Sequence, residues 1–148
     1  MIFWSVFSGV LILDQLTKWY VRSHFTFGQS RPILGDLLKI TYWENPGAAF
    51  GLFPGATSFF VITSILSVIM SIIFYPKAEE YGWPVGVALG LISGGAMGNL
   101  LDRLRQGTVT DFISFRYFSP IFNLADSAIV VGAFVIGLVL LLSSKRQG

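Results

Sequence analysis

Four long apolar stretches limit what this chain can fold into. They run Ile2–Tyr20, Thr57–Tyr75, Pro84–Leu101 and about Phe122–Ser143, and each is close to the roughly 20 residues that a helix needs to cross a bilayer. Only 12% of the 148 residues are charged, whereas a soluble domain has about 25%. The sequence therefore predicts one membrane-embedded domain over residues 1–148, of the all-α class, with four transmembrane helices.

The segments that connect these stretches contain the other predicted elements. They are a long segment Val21–Ala56, a short one Pro76–Trp83 and a medium one Asp102–Ile121. Pro76 opens the clearest predicted helix break. Leu37–Trp43 is rich in apolar and β-favouring residues between turn-forming residues, which predicts a short strand.

A glycine repeat marks the third apolar stretch. Gly86, Gly90, Gly94 and Gly98 recur at every fourth position, so they lie along one face of a helix. Such a face lets a neighbouring helix backbone approach closely. The next step of four is Asp102, so the closest predicted helix contact leads directly to an acid.

Four aspartates should meet at one face of the membrane. Asp14 lies in the first stretch, Asp102 ends the third, Asp111 follows it and Asp126 opens the fourth. Successive spans alternate in direction, so these positions share one side whatever the orientation of the protein. Carboxylates at membrane depth are costly and usually face the bundle interior with a partner.

Two of the four aspartates have a cation nearby in the sequence. Asp14 precedes Lys18 by four residues, the favourable order for a helical ion pair, and this pair could serve only to orient the helix. Asp102 is followed by Arg103 and could form a plain salt bridge that ends the helix.

The other two aspartates have no such cation. Asp111 follows Thr108-Val109-Thr110, and Asp126 stands between Ala125 and Ser127. Two acids brought together in a low-dielectric setting do not both ionise easily, so they would share one proton and act as acid and base. The structural alternative is a turn or, for Asp126, a cap of the fourth helix.

Several chemistries lack the residues they need. The chain has no cysteine and one histidine, His24, which argues against disulfides, thiolate chemistry and a histidine-rich metal site. The formal net charge is +2 without a basic run, so nucleic-acid binding has no support. No metal and no cofactor is predicted.

Five blocks occur in a family-specific order with the predicted spans between them. The blocks are Asp14–Lys18, Glu44–Gly51, Gly94–Arg103, Val109–Ile113 and Phe122–Ser127. In this order the chain resembles the lipoprotein signal peptidases (signal peptidase II) over nearly its whole length.

The resemblance implies an aspartic endopeptidase. It would remove signal peptides from bacterial prolipoproteins by cutting on the N-terminal side of a diacylglyceryl-modified cysteine. The implied catalytic pair is Asp111 and Asp126. The implied residues that support this pair or contact substrate and peptide antibiotics such as globomycin are Asp14, Lys18, Asn45, Asn99, Asp102, Arg103 and Asn123. Pro46 and Thr110 fall at positions where the resemblance implies no role.

The resemblance also implies an architecture and a location. Four transmembrane helices would carry a small extramembrane β-cradle and a short surface helix, supplied mostly by the segment Val21–Ala56. The protein would lie in the bacterial cytoplasmic (inner) membrane among its lipids, as a monomer, with the active site at the outer face and both termini in the cytoplasm.

The distribution of positive charge favours the opposite orientation. The side of the termini has Lys77, Lys145 and Arg146, and the side of the acids has Arg22, Arg31, Lys39, Arg103, Arg105 and Arg116. Cytoplasmic loops usually have the excess of lysine and arginine. The expected orientation therefore rests on the resemblance alone.

Two other classes of protein remain as alternatives. A metal-dependent lipid phosphotransferase also gathers aspartates at a membrane face around Mg²⁺, but it needs acids at short helical spacing. A transporter or assembly subunit without catalysis could use the same charges as helix contacts.

Overall fold

The computed structural model describes residues 1–47 and 57–144. Its four α-helices are α1 (Ile2–His24), α2 (Thr57–Ala78), α3 (Trp83–Gln106) and α4 (Leu124–Ser144). Helices α2, α3 and α4 are long and apolar enough to cross a membrane. At 23 residues, α1 is about 34 Å long, but its C-terminal half is more polar than those three helices.

The helix break predicted at residues 76–80 begins after Ala78 rather than at Pro76. Pro76 lies inside α2, which continues to Ala78 and is followed by a 3-10 turn, Glu79–Tyr81. A proline removes one backbone hydrogen bond and disfavours further helix, and α2 ends within one turn of it. The chain changes direction at Gly82, whose φ of +88° suits glycine and ends helical geometry.

A four-stranded antiparallel sheet completes the fold. Its strands are β1 (Ser30–Leu34), β2 (Leu38–Asn45), β3 (Val109–Phe115) and β4 (Phe118–Phe122), in that spatial order. The strand predicted at Leu37–Trp43 is confirmed as β2.

The segment 21–56, which was expected to supply most of the β-cradle and the surface helix, supplies two of the four strands. That segment supplies β1 and β2, and the segment after α3 supplies β3 and β4. β1 and β2 form one hairpin, and β3 and β4 form the other. The two hairpins are joined by hydrogen bonds between β2 and β3. The predicted short surface helix does not occur between Phe25 and Gly47, and residues 48–56 lie outside the described residues.

Helix α3 is central and packs against each of the other three helices. The predicted close approach along its glycine face is confirmed. A Cβ at Gly90 or Gly94 would lie 2.8 Å from a backbone oxygen of α1, that of Phe3 or Phe7. A Cβ at Gly98 would collide with the carboxylate of Asp14, so the glycine face ends at a buried acid.

The sheet brings its polar residues to the ends of α3 and α4. Gly107 has a φ of +80°, caps α3 and turns the chain into β3. In the β2–β3 pair, Glu44 lies opposite Thr110 and Trp43 lies opposite Asp111. Because successive side chains of a strand point to opposite faces, Glu44 and Thr110 share one face while Asp111 points to the other.

Candidate active site

Three of the predicted site residues, Asp14, Lys18 and Asp102, form a buried ion cluster, and the partly exposed Arg22 is its fourth member. Lys18 Nζ lies 2.9 Å from Asp14 Oδ2 and 3.0 Å from Asp102 Oδ2, and the three side chains are at most 1% exposed. Arg22 lies 3.6 Å from the other oxygen of Asp102. The cluster meets the requirement that charges inside a protein be paired and hydrogen-bonded.

The pair predicted between Asp14 and Lys18 is present, but the salt bridge suggested between Asp102 and Arg103 is wrong. Asp102 pairs with Lys18 and Arg22 instead. Adjacent residues of a helix point in directions about 100° apart, so neighbours in sequence seldom face each other. The carboxylate of Asp14 also accepts the backbone N–H of Ala125 at 3.0 Å, which joins α1 to the start of α4.

Asp111 is held by amides. Its carboxylate accepts Asn45 Nδ2 at 2.9 Å and Asn123 Nδ2 at 2.7 Å, and its side chain is 1% exposed. Burial, followed by the negative charge of Asp126, raises the pKa of Asp111 from 3.8 to about 7, against the opposite effect of the two amide donors. Asp111 therefore holds a proton far more readily than an ordinary aspartate does.

Asp126 lies in the first turn of α4 and takes part in its N-terminal cap. Asn123 Oδ1 accepts the backbone N–H of Asp126 at 2.9 Å, and Asp126 Oδ2 accepts that of Asn123 at 3.2 Å. This reciprocal arrangement is a capping box with Asn123 as the N-cap residue. The other oxygen, Oδ1, accepts Asn99 Nδ2 at 2.8 Å. Asp126 therefore takes part in the cap of α4 and also lies at the candidate site.

Two asparagines separate the ion cluster from the aspartate pair Asp111 and Asp126. Asn99 Oδ1 accepts Lys18 Nζ at 2.8 Å and Asn123 Nδ2 at 3.2 Å. Each amide nitrogen also donates to one carboxylate of the pair, Asn99 to Asp126 and Asn123 to Asp111. Within residues 1–47 and 57–144, no lysine or arginine forms a salt bridge with either member of the pair.

The aspartate pair opens into a cavity of about 720 Å³. Arg103 lies on its wall, where it donates to Gly47 O at 3.2 Å and stacks over Phe60 at 5.0 Å. The cavity is lined by Asn45, Gly47, Asn99, Arg103, Asp111, Asp126 and Ser127, by Phe60, Thr63, Ser64 and Ser67 of α2, by Ala96 of α3, by Val109, Phe118, Pro120, Ile121 and Phe122 of the sheet and its ends, and by Ile129, Val130 and Val131 of α4. All nine predicted site residues thus belong to the ion cluster, to the asparagine layer (Asn99 and Asn123) beside it, or to the wall of this cavity.

Sequence reasoning missed four polar residues next to the predicted ones. Gln15 donates to Asp14 at 3.2 Å and to Asp102 at 3.3 Å. Arg22 stands four residues beyond Lys18, a spacing that could have revealed it. Glu44 and Thr110 meet behind β3 at 3.2 Å, and only the strand register brings them together.

The described part of the chain contains no group of three or more His, Cys, Asp or Glu side chains that could hold a metal ion.

Apolar helices around paired carboxylates that share a cavity define a membrane protein with the elements of an acid–base site. The family model of Signal peptidase (SPase) II, Peptidase_A8, matches residues 6–142. The chain therefore belongs to the signal peptidase II family, and it is a multi-pass membrane peptidase. Neither alternative class, the lipid phosphotransferase or the non-catalytic subunit, agrees with this membership.

Curated relatives and solved structures agree over nearly the full length. The lipoprotein signal peptidase of Desulfitobacterium hafniense is 39% identical over 147 residues, which cover 99% of this chain and 97% of the relative. That of Syntrophomonas wolfei is 43% identical over 145 residues, 98% and 96% of the two chains. A bacterial membrane enzyme solved by the in meso method is 34% identical, with a TM-score of 0.93 over 99% of this chain and 91% of that one.

Proposed function

We propose that this peptidase cuts diacylglyceryl-modified prolipoproteins on the N-terminal side of the modified cysteine, with Asp111 and Asp126 as its catalytic pair. One observation carries the assignment. The two carboxylates line one cavity, are held by amides rather than cations, and include a group whose pKa is raised to about 7. A shared proton on such a pair is what water-mediated cleavage of an amide requires.

In the first step Asp111 carries the shared proton and Asp126 acts as the base. Asp111 is nearly fully buried, whereas Asp126 is half-buried at the cavity. Asp126 takes a proton from water, the resulting hydroxide attacks the scissile carbonyl carbon, and Asp111 donates its proton to the carbonyl oxygen. General acid–base help of this kind is worth about 10²–10⁴-fold.

In the second step the tetrahedral gem-diol collapses. Asp126 gives its proton to the leaving nitrogen, the C–N bond breaks, and one hydroxyl proton of the diol returns to Asp111. The products are the signal peptide with a C-terminal carboxylic acid, which then loses its proton to solvent, and the free amine of the modified cysteine. The pair ends in its starting protonation state.

Hydrogen-bond donors around the pair provide positioning. Asn45, Asn99 and Asn123 fix the two carboxylates, and Arg103 stands on the cavity wall, where it can meet substrate carbonyl groups or lipid phosphate. Asp14, Lys18 and Asp102 support this layer from behind. Preorganised donors stabilise charge that develops in the transition state.

The walls of the cavity suit a lipid-modified substrate. Beyond the first turn of α4, the side chains that line it are aliphatic (Ile129, Val130 and Val131), and Phe60, Thr63, Ser64 and Ser67 line it from α2. Acyl chains, or the apolar part of a peptide antibiotic such as globomycin, would lie between these helices while the scissile bond meets the aspartates. Every residue proposed for the site comes from one chain, so a monomer suffices.

We also propose that α1 is a fourth span. Its polar residues Asp14 and Lys18 point inward and are fully buried, while Leu13, Leu16 and Trp19 are more than half exposed. An apolar outer surface of this kind fits contact with lipid. The whole chain would then form one membrane-embedded domain.

We also propose that the protein lies in the bacterial inner membrane with the active site at the outer face and both termini in the cytoplasm, which the family resemblance supports. The chain has no cysteine, so Thr26→Cys and Glu80→Cys each give a single exposed thiol on opposite sides. With the active site outside, an impermeant thiol reagent added to spheroplasts labels position 26 and spares position 80. The reverse labelling would contradict the proposed orientation.

The substrate is tested with one prolipoprotein in two forms, with and without the diacylglyceryl group on its cysteine. We expect the purified enzyme to cut only the modified form, in the presence of EDTA, with inhibition by globomycin. Equal cleavage of both forms would contradict the proposed substrate class.

A further inference from the structure

The back of strand β3 contains a polar cluster that the proposed mechanism does not use. Thr110 precedes Asp111 and is fully buried. Its side chain points away from the cavity, toward Glu44 of β2, Arg22 of α1 and Gln106 of α3.

The hydroxyl group of Thr110 is saturated. Its oxygen accepts Arg22 NH1 at 2.9 Å and Gln106 Nε2 at 3.1 Å, and it lies 3.2 Å from Glu44 Oε1. A hydroxyl has one proton and two lone pairs. The two nitrogens are donors, so the proton must go to the carboxylate of Glu44. The orientation of this side chain is therefore fixed from three elements.

The backbone of Thr110 is fixed as well. Its N–H donates to Asp102 Oδ2 at 3.2 Å, the oxygen that also pairs with Lys18. The residue before the proposed catalytic aspartate is thus bonded to the ion cluster through its main chain and to Glu44 through its side chain.

Glu44 is held by more than Thr110. Its two oxygens also accept Tyr42 Oη at 2.7 Å, Gln106 Nε2 at 3.1 Å and the hydroxyl of Thr108. Burial and the carboxylate of Glu44 raise the pKa of Tyr42 to about 12, so that phenol remains a donor. Four donors, from β2, α3, β3 and the turn between α3 and β3, therefore hold the carboxylate of Glu44 in one position.

We propose that Glu44 and Thr110 are positioning residues for Asp111, which set the place of β3 against the ion cluster and so aim the aspartate at Asn123 and the cavity. This inference rests on the proposed catalytic role of Asp111. Neither residue touches the cavity, so both act through Asp111. A misplacement of about 1 Å can cost up to about 10²-fold in rate even when binding is intact.

The test compares Thr110→Val with Thr110→Ser. Valine keeps the shape and the backbone N–H but removes the hydroxyl, whereas serine keeps the hydroxyl. We expect Thr110→Val to lower kcat about tenfold with KM unchanged, and Thr110→Ser to stay within about twofold of wild type. Thr41→Val is the matched control, because within residues 1–47 and 57–144 the hydroxyl it removes from β2 forms its one side-chain hydrogen bond with Ser30, and it should leave kcat unchanged.

Glu44→Gln gives an independent measurement. It should lower kcat by a similar factor, and the double variant Glu44→Gln/Thr110→Val should be no slower than the slower single variant, because the two residues act through one contact. If Thr110→Val does not fold, Glu44→Gln and Thr110→Ser carry the test.

Wild-type kcat in Glu44→Gln, or a rise in KM alone in either variant, would overturn the positioning role. Failure of the proposed function would give a different result, because Asp111→Asn would then retain turnover.

Discussion

The two groups of aspartates in this protein have the same side chain and very different surroundings. Asp14 and Asp102 share Lys18 between them at 2.9 and 3.0 Å. Asp111 and Asp126 accept hydrogen bonds from amides and form no salt bridge within the described residues. A cation balances the negative charge of a buried carboxylate, whereas neutral amide donors hold a carboxylate in place without balancing its charge.

The asparagine layer makes this difference possible at short range. Asn99 contacts Lys18 with its carbonyl oxygen and Asp126 with its amide nitrogen. The cation therefore orients the aspartate pair through a neutral group without pairing with it. Substitutions in the two groups should therefore differ in the kind of effect they have.

Asp111→Asn and Asp126→Asn should each reduce cleavage of a diacylglyceryl-modified prolipoprotein by about 10³-fold or more, because asparagine can neither take nor give the proton. Both variants should remain folded, because asparagine has the size of aspartate and keeps one acceptor oxygen. Its amide nitrogen replaces an oxygen that accepts an N–H, so each variant loses one hydrogen bond. Turnover and thermal unfolding are measured on the same purified samples. Near-wild-type turnover by either folded variant would refute the catalytic assignment.

Lys18→Met should act on stability. It leaves Asp14 and Asp102 buried without their shared cation, which should lower the free energy of unfolding by about 3–5 kcal/mol. Lys39→Met is the control, because its partner Asp36 is 68% exposed and such a pair contributes at most about 1 kcal/mol. Equal losses in the two variants, measured by denaturant unfolding in detergent, would remove the distinction between the ion cluster and a surface pair.

Asp102→Asn should have a smaller effect, and of a different kind from Asp111→Asn. Lys18 keeps Asp14 as its partner, and the loss should be about 1–3 kcal/mol of stability. Turnover per folded molecule should stay within about tenfold of wild type, since no proton transfer is removed. A loss of turnover as large as that of Asp111→Asn, at unchanged stability, would place Asp102 in the chemistry.

The pH dependence of stability should change gradually, by at most about 1.4 kcal/mol per pH unit for one proton. The pKa of Asp111 is raised from 3.8 to about 7 in the folded protein, so between these values the folded state holds a proton that the unfolded chain has lost. Its contribution is complete below pH 3.8 and is lost as the pH rises through about 7. Tm should therefore fall over this window in wild type more than in Asp111→Asn. Parallel curves would contradict the raised pKa.

The sequence predicted both groups of aspartates but only some of the residues that pair with them. Alternating spans bring Asp14, Asp102, Asp111 and Asp126 to one side, and helical spacing identifies Lys18. The contact of Asp102 could not be found from its neighbour Arg103, because the direction of a side chain on a helix depends on its angular position and on the packing of α3 against α1.

The sheet was the least predictable part of the fold. Its strands come from two segments far apart in the sequence, and their pairing depends on a register that local pattern does not specify. Thr110 therefore received no role, although the register places it against Glu44. The short surface helix falls partly on residues 48–56, outside the described part of the chain, and stays a prediction there.

The protonation of the aspartate pair tests the central claim most directly. Infrared difference spectra, recorded on either side of pH 7, follow the C=O band of a protonated carboxyl group. We predict a band in wild type that disappears as the pH rises through about 7, that is absent from Asp111→Asn and that persists in Asp14→Asn and Asp102→Asn. A band that survives in Asp111→Asn, or none in wild type, would contradict a proton shared by Asp111 and Asp126.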